Sequence, residues 1–496
     1  MEARVYSVNQ IRTLEKKAVE DYHISEFNLM LSAGRAAFNY LTTLWPMAKT
    51  VLVVCGSGNN GGDGFILAEA ARESGRLVKV RILGDVEKLS ATAKIALEYC
   101  QAHGINIQKF DENETIAADV IVDAILGIGL KKALEGSYAQ AVSVLNRSHL
   151  PILALDVPTG INADSGNIWQ SASGVTLAIK AEATITFIGY KQGLFTGAAL
   201  DYCGKVALAS LDLPAALFHN VAPSNEFLLP ESIKYHLPPR PKNAHKGDCG
   251  HVLVMGGNIG MAGAARLAAE AALRVGAGLV SVATLAGHEA IVCAHYPEIM
   301  CHAVSSEEAL LALLAKATVI ILGPGLGTDE WAKMMFNAAL TSRLPKIIDA
   351  DGLNLLGKNP HCQRDWVLTP HPGEAGRLLG LDTKIIQSDR FVSVTKLAKL
   401  GGTWVLKGAG TLVRGNEDIT FICPFGNPGM ASGGMGDALS GIIGGLMAQN
   451  ISCVEASKLG VLCHALAGDE VAKEGERGMV ASDVIDKLRG LINNTE

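Results

Sequence analysis

The chain has no run of lysine or arginine, and aromatic residues make up only 5% of it. Its 43 basic residues are outnumbered by 49 acidic ones, for a net charge of −6. Binding to a phosphate backbone needs clustered positive charge, so a general nucleic-acid surface is excluded. No uncharged apolar stretch reaches the roughly 18 residues that suggest a membrane span, and the opening MEARVYSVNQ lacks the basic-then-apolar pattern of a signal peptide. The ten cysteines are scattered with no C-x-x-C pair, as expected of reduced thiols in a cytoplasmic protein. Internal repeats with a period of about 20–50 residues are absent too.

What is present is length, apolar content and glycine. At 496 residues, roughly two to four units are expected. Hydrophobic residues make up 49% and charged residues 19%, enough for a proper interior in each unit. The 54 glycines are aperiodic and cluster after apolar runs, which favours α/β units with backbone-lined ligand loops over a disordered chain.

Ser7 followed by Gln10 predicts a capping box opening a helix to about Tyr22, and the Leu/Met-rich stretch 28–41 reads as a packing helix. An alternation of apolar strands and helices follows: VLVVCG (51–56), a glycine loop, a helix from about Phe65 to Ser74, VKVRILG (78–84), DVIVDAILG (119–127), PILALDVPTG (151–160) and ATITFIG (183–189). Such alternation implies a parallel sheet covered on both faces. Between about Leu213 and His245 the pattern gives way to Pro, Asn and His, and reads as the linker and domain boundary. A second series then runs HVLVMGG (251–257), LVSVATLA (279–286), TVIILGPG (318–325), KIIDADG (346–352), DWVLTP (365–370) and TWVLKGAG (403–410), ending in a small-residue helix from Asp437.

In the first half, GSGNNGGDG joins a strand to a helix. Its glycines permit close backbone approach, and a helix start presents N–H groups to an anion. It is neither G-x-G-x-x-G nor a P-loop, and glycines alone would fit a plain turn equally well. Asn59, Asn60 and Asp63 weigh against that, as do Asp123 and Asp156 at two further strand ends, because ligands of open α/β sheets bind outside the carboxyl ends of the strands.

NNGGDG, VDAILGIG, DVPTG and AEATITFIGYKQGL together resemble the YjeF N-terminal family of NAD(P)H-hydrate epimerases over residues 1–218. The resemblance implies a Rossmann-like three-layer domain. It implies that Asn59, Asn60, Gly61, Gly62 and Asp63, with Gly127, Ile128, Gly129, Leu130, Lys131, Lys132 and Ala133, hold the dinucleotide. It also implies that Asn60, Asp123 and Thr159 ligate a potassium ion, and that Asp156 is the acid/base at the nicotinamide. Thr159 stands where many relatives carry Ser; both offer a hydroxyl. Exchanging R and S hydrates requires a proton transfer and the opening and re-forming of a C–O bond at C6, which a carboxylate can assist.

In the second half, GMASGGMGD precedes the small-residue helix, where consecutive glycine N–H groups would form an anion hole with Asp437 in the first turn. By itself this fits a helix cap as well as a phosphoryl-transfer site. GPGLG (323–327), TPHPGE (369–374), KGAGT (407–411), NAHKGDCGHVLVMGG (243–257) and AHYPEIM (294–300), with that motif, are similar to the ribokinase-like ADP/ATP-dependent NAD(P)H-hydrate dehydratases over residues 225–496. The similarity implies that Lys407, Gly408, Ala409, Gly410, Thr411 and Gly436 bind the adenine nucleotide. Ala262, Gly325, His371 and Asp437 would contact the hydrate, with Asp437 as base. HPGE and GMASGGMGD point to ADP, used with Mg²⁺. An isolated His371 would otherwise read as a turn residue and Lys407 as a solvated one, while Cys249 and Cys463 read as core.

The combined expectation is a cytoplasmic, homo-oligomeric repair enzyme for NADHX and NADPHX, with ADP as co-substrate and neither nucleic acid nor membrane as partner. Two alternatives stay open: a ribokinase-like small-molecule kinase leaving a stable phosphorylated product, and an N-terminal half that only binds nucleotide.

Overall fold

The computed structural model describes residues 3–171, 174–357 and 360–493. The chain divides into two compact units, Arg4–Asn225 and Glu226–Glu496, with Ala3 grouped with the latter.

The first unit is built on a seven-stranded sheet in the order Ile107–Lys109, Leu77–Ile82, Thr50–Cys55, Val120–Ala124, Ile152–Leu155, Ala183–Phe187 and Lys205–Ala209, with every pairing parallel. Successive side chains of a strand point to opposite faces. Val51, Val53 and Cys55 therefore enter one core with helices Val8–Tyr22, Glu26–Leu44, Asn59–Glu73 and Ala91–Ala102, whereas Leu52 and Val54 enter another with helix Gly136–Arg147. The result is a three-layer sandwich. Chain order reverses between Thr50–Cys55 and Val120–Ala124, which opens a crevice at the carboxyl ends of these two strands.

The second unit repeats the logic. Seven parallel strands, Ile299–Ala303, Leu279–Thr284, His251–Met255, Val319–Leu322, Lys346–Ile348, Trp366–Leu368 and Thr403–Leu406, are followed by antiparallel Leu412–Arg414 and Thr420–Ile422. Val252 and Val254 face a core with helices Ala262–Arg274, Met435–Ala448, Cys453–Ala472 and Ala481–Asn493; Leu253 and Met255 face another with Glu307–Leu314 and Glu330–Thr341. Here the order reverses between His251–Met255 and Val319–Leu322.

The capping box at Ser7 is present, and helix Val8–Tyr22 follows it. The packing helix read at 28–41 spans Glu26–Leu44. Cys249 and Cys463 are buried.

Two expectations need correction. Residues 59–64 are the start of helix Asn59–Glu73 and not a loop, because Gly61 brings this turn onto the Gly56 carbonyl, where a Cβ would stand 2.0 Å from the oxygen. The stretch 213–245 does hold the boundary between the units, but it is folded and not a structureless linker. It carries helices Ala215–His219 and Glu231–His236. Leu217 and Phe218 pack into the first core, Leu228 and Ile233 into the second, so folded structure continues through it and the division falls at Asn225/Glu226.

Candidate active sites

The crevice of the first unit is a cleft of about 620 Å³ lined by Asn59, Asn60, Asp63, Gly127, Ile128, Gly129 and Asp156, with Glu15 and Lys191. Asp156 follows strand Ile152–Leu155 with φ at 64°, a left-handed conformation uncommon for residues other than glycine. Its carboxylate accepts from the Lys191 ammonium, Thr186 Oγ1 (3.3 Å) and the Phe187 N–H (3.4 Å). Lys191 also donates to the Phe187 carbonyl at 2.7 Å. Burial raises the neighbouring Asp63 carboxyl far above the usual range; Asp156 and Glu15 add repulsion, and Lys191 opposes it. The cleft therefore holds several carboxyl groups around one buried cation.

Behind it, Asp123 is completely buried. Its oxygens accept from Thr159 Oγ1 (2.7 Å), the Thr159 N–H (2.8 Å) and the Ile125 N–H (3.2 Å). Burial pushes its carboxyl up to about 6 against these three donors. The Asn60 side chain is buried, and neither its oxygen nor its nitrogen has a hydrogen-bond partner. An unpartnered buried amide oxygen at Asn60, a buried carboxylate at Asp123 and the Thr159 hydroxyl are oxygen donors of the kind a hard cation takes. The three residues expected to hold potassium fit it.

A Cβ on Gly127 would lie 3.2 Å from Asp156 Oδ2 and 3.5 Å from Asn60 Oδ1, which places these three residues together. The rest of the expected dinucleotide loop leaves the cleft: Leu130 packs against the core of helix Gly136–Arg147, and Lys131 and Lys132 are exposed.

In the second unit, helix Met435–Ala448 begins two residues before the expected Asp437, placing Asp437 in its first turn. Lys407, which follows strand Thr403–Leu406, reaches Asp349 Oδ1 at 2.7 Å and Glu374 Oε2 at 3.9 Å. Burial pulls the Lys407 ammonium down, but Asp349, Glu374 and Asp437 outweigh it and the group stays raised. A Cβ on Gly436 would stand 3.3 Å from Lys407 Nζ, so the expected nucleotide residues Lys407 and Gly436 are adjacent. Asp437 is pushed up to about 7, by burial first and by the charge of Asp349 next. Glu374 is likewise pushed up to about 7 by burial.

His371 caps helix Pro372–Leu379: its Nδ1 accepts from the Gly373 N–H at 3.0 Å, and Glu374 returns a bond to the His371 N–H at 2.7 Å. Burial lowers its imidazole, and Lys407 and Arg377 add to that. Gly408, Ala409, Gly410 and Thr411 form the turn into Leu412–Arg414, and the buried Arg390 guanidinium donates to the carbonyls of Gly410 (3.3 Å) and of Lys407 just before the turn (3.3 Å). Gly325 packs against Met261 and Ala264, beside Ala262 at the start of Ala262–Arg274. The same loop joins the charged cluster where the Gly327 N–H donates to Asp351 at 2.8 Å.

Lys191, Asp349, Glu374 and Ser440 were not among the expected site residues. Lys191 lies within the YKQGL motif and Asp349 within KIIDADG, a strand end carrying an acid, which is the signal that pointed to Asp123 and Asp156.

Comparison with known proteins agrees with both halves. The family described as YjeF-related protein N-terminus matches residues 26–193, and the NAD(P)H-hydrate dehydratase family matches residues 252–489. The bifunctional NAD(P)H-hydrate repair enzyme of Coxiella burnetii is 47% identical over 99% of this chain and 99% of its own; that of Escherichia coli K12 is 40% identical over 99% and 94%. Among solved structures, a ribokinase-like superfamily protein from Enterococcus faecalis covers 54% of this chain and 96% of its own at 30% identity and TM-score 0.50. With an acid-lined cleft at the switch point of the first sheet, a cluster of acids around Lys407 beyond the strand ends of the second, and relatives matching end to end, the chain belongs to the family of bifunctional NAD(P)H-hydrate repair enzymes.

Proposed function

We propose that the first unit interconverts the R and S forms of NADHX and NADPHX, and that the second dehydrates the S form with ADP, releasing AMP and phosphate. The observation that carries this reading is the seating of Asp437 in the first turn of a glycine-opened helix, where a Cβ on the preceding Gly436 would stand 3.3 Å from the Lys407 ammonium.

In the first unit, Asp156 gives a proton to the C6 hydroxyl as the C–O bond opens and water departs, the ring nitrogen's lone pair filling the vacated carbon, and takes a proton back from the water that adds to either face of the ring. Lys191 holds its carboxylate in place. Asn59, Asn60, Gly61, Gly62, Asp63 and Gly127–Gly129 are the dinucleotide residues at the cleft, and Leu130–Ala133 could meet only a part of the dinucleotide that extends beyond it. A potassium ion held by Asn60, Asp123 and Thr159 would supply fixed positive charge behind the cleft.

In the second unit, Lys407–Thr411 and Gly436 take the nucleotide, and Ala262, Gly325, His371 and Asp437 the hydrate. Asp437 removes the proton of the C6 hydroxyl as that oxygen attacks the β-phosphoryl of ADP, and AMP departs. The helix N–H groups and Lys407 neutralise the transferred charge. Phosphate then leaves C6 with the bonding electrons, a proton is lost from C5, and the ring double bond returns. Mg²⁺ would come with the nucleotide and would help neutralise the transferred phosphoryl. A cytoplasmic homo-oligomer completes the proposal.

The test is incubation of mixed R/S NADHX with ADP, ATP or no nucleotide, following NADH absorbance and product mass. Full conversion of both epimers to NADH with ADP supports the reading. A stable phospho-hydrate would identify a kinase instead.

A further inference from the structure

Asp349 ends strand Lys346–Ile348 and stands immediately before helix Ala350–Leu356, yet its side chain makes no cap hydrogen bond. It is 1% exposed. One oxygen accepts from Lys407 Nζ at 2.7 Å and the other from Ser440 Oγ at 2.7 Å. Ser440 lies three residues beyond Asp437 on helix Met435–Ala448, on the same face, and is fully buried. One carboxylate thus bridges the loop that carries the nucleotide-side cation and the helix that carries the base. A buried carboxylate forgoing its local cap for two long-range donors is costly to desolvate unless both are kept.

We propose that Asp349 is a positioning residue of the dehydratase site, fixing the Lys407 ammonium and the Asp437 helix in one frame. The inference rests on the assignment of Asp437 as base. The bridge has a second, electrostatic consequence. Asp349 is the strongest like charge acting on Asp437, with Lys407 opposing and Asp351 adding. Around them stand His371 and Glu374 at the start of Pro372–Leu379, and His464 on Cys453–Ala472, whose imidazole is pushed down to about 4 by burial and then by Lys407. Removing the charge of Asp349 while keeping its shape therefore eases ionisation of Asp437 and loosens Lys407.

Three variants of the full chain test this: Asp349→Asn, Ser440→Ala and Asp437→Asn, each assayed for dehydration of S-NADHX across pH and ADP concentration, with thermal melts. Asp349→Asn is expected to move the acid limb of the rate profile to lower pH and to raise KM for ADP several-fold. Ser440→Ala, which cuts only the helix-side link, is expected to lower kcat several-fold and leave the limb in place. An Asp349→Asn limb that coincides with wild type, while Asp437→Asn is inactive, overturns the positioning role alone. Wild-type rates in Asp437→Asn would remove the base assignment and this inference with it. Should Asp349→Asn fail to fold, unchanged kcat in Ser440→Ala overturns the bridge.

Discussion

Lys191 donates from a site 1% exposed to the carboxylate of Asp156, and Asp156 is itself held at φ 64°. A left-handed non-glycine residue persists where its surroundings over-determine it, and such positions cluster at active sites. Here the backbone conformation turns the carboxylate into the cleft and the ammonium keeps it there. Asp156→Asn should cut R/S exchange by about 10²–10⁴-fold, the usual contribution of a general acid/base, while dehydration of pre-formed S hydrate continues. Following the epimers by chromatography checks it, and equal loss of both activities would argue against separate sites.

Lys191→Met keeps the length of the side chain and removes its charge. A hydrogen bond to a charged group contributes about 1.5–3 kcal/mol, so exchange should slow roughly ten- to hundredfold. Lys191→Arg should perform no better, because the guanidinium is larger than the ammonium that this closed site holds. Stopped-time epimer ratios at fixed pH measure both.

Asn60 and Asp123 lead to a prediction that does not depend on turnover. A cation bound only by the folded state raises the melting temperature with its concentration. Wild-type protein should melt higher as K⁺ replaces a bulky organic cation, and Asn60→Ala should abolish that dependence by removing the orphaned oxygen. A K⁺-dependent melt that survives in Asn60→Ala would place the ion elsewhere.

Much of this was legible in the sequence because it is local. Each β-branched run became a strand, and the acids at 123 and 156 fell at strand ends as the Gly-flanked motifs indicated. The crevice of the first unit follows from strand order, which sequence alone does not give, although alternating strands and helices restrict it. What escaped reading was long-range. Nothing near Asp349 announces that it will meet Lys407, 58 residues away, and Ser440, 91 away. Nothing in YKQGL announces that Lys191 will reach Asp156, 35 residues away. The glycines at 61 and 62 read as loop because their reason for being glycine, the backbone at Gly56 and the side chain of Met30, lies across the fold.

Dehydration should carry an acid limb near pH 7. Asp437 must be ionised to take the hydroxyl proton, and burial with Asp349 raises its carboxyl to about 7. Below that pH the group is progressively protonated, so kcat/KM should fall about tenfold per unit; above it the profile should level. Glu374, also raised to about 7, adds curvature of the same sign. An acid limb near pH 4, where an ordinary carboxylate titrates, would contradict this assignment.

Gly436→Ala separates binding from folding. The residue lies inside helix Met435–Ala448, where alanine is favoured over glycine by about 1 kcal/mol, so the variant should melt at the wild-type temperature or slightly above it. The added methyl would nonetheless stand 3.3 Å from Lys407 Nζ, in the space through which phosphate oxygens reach the ammonium and the helix N–H groups. ADP should therefore bind at least about tenfold more weakly, a loss of roughly 1.4 kcal/mol, measurable by calorimetry without turnover. Gly444→Ala on the same helix makes the contrast: its methyl would press 2.5 Å from Ile321 Cδ1 in the core, so it should lower the melting temperature with little effect on ADP. If Gly436→Ala binds ADP as tightly as wild type, the nucleotide phosphates do not lie over this helix start.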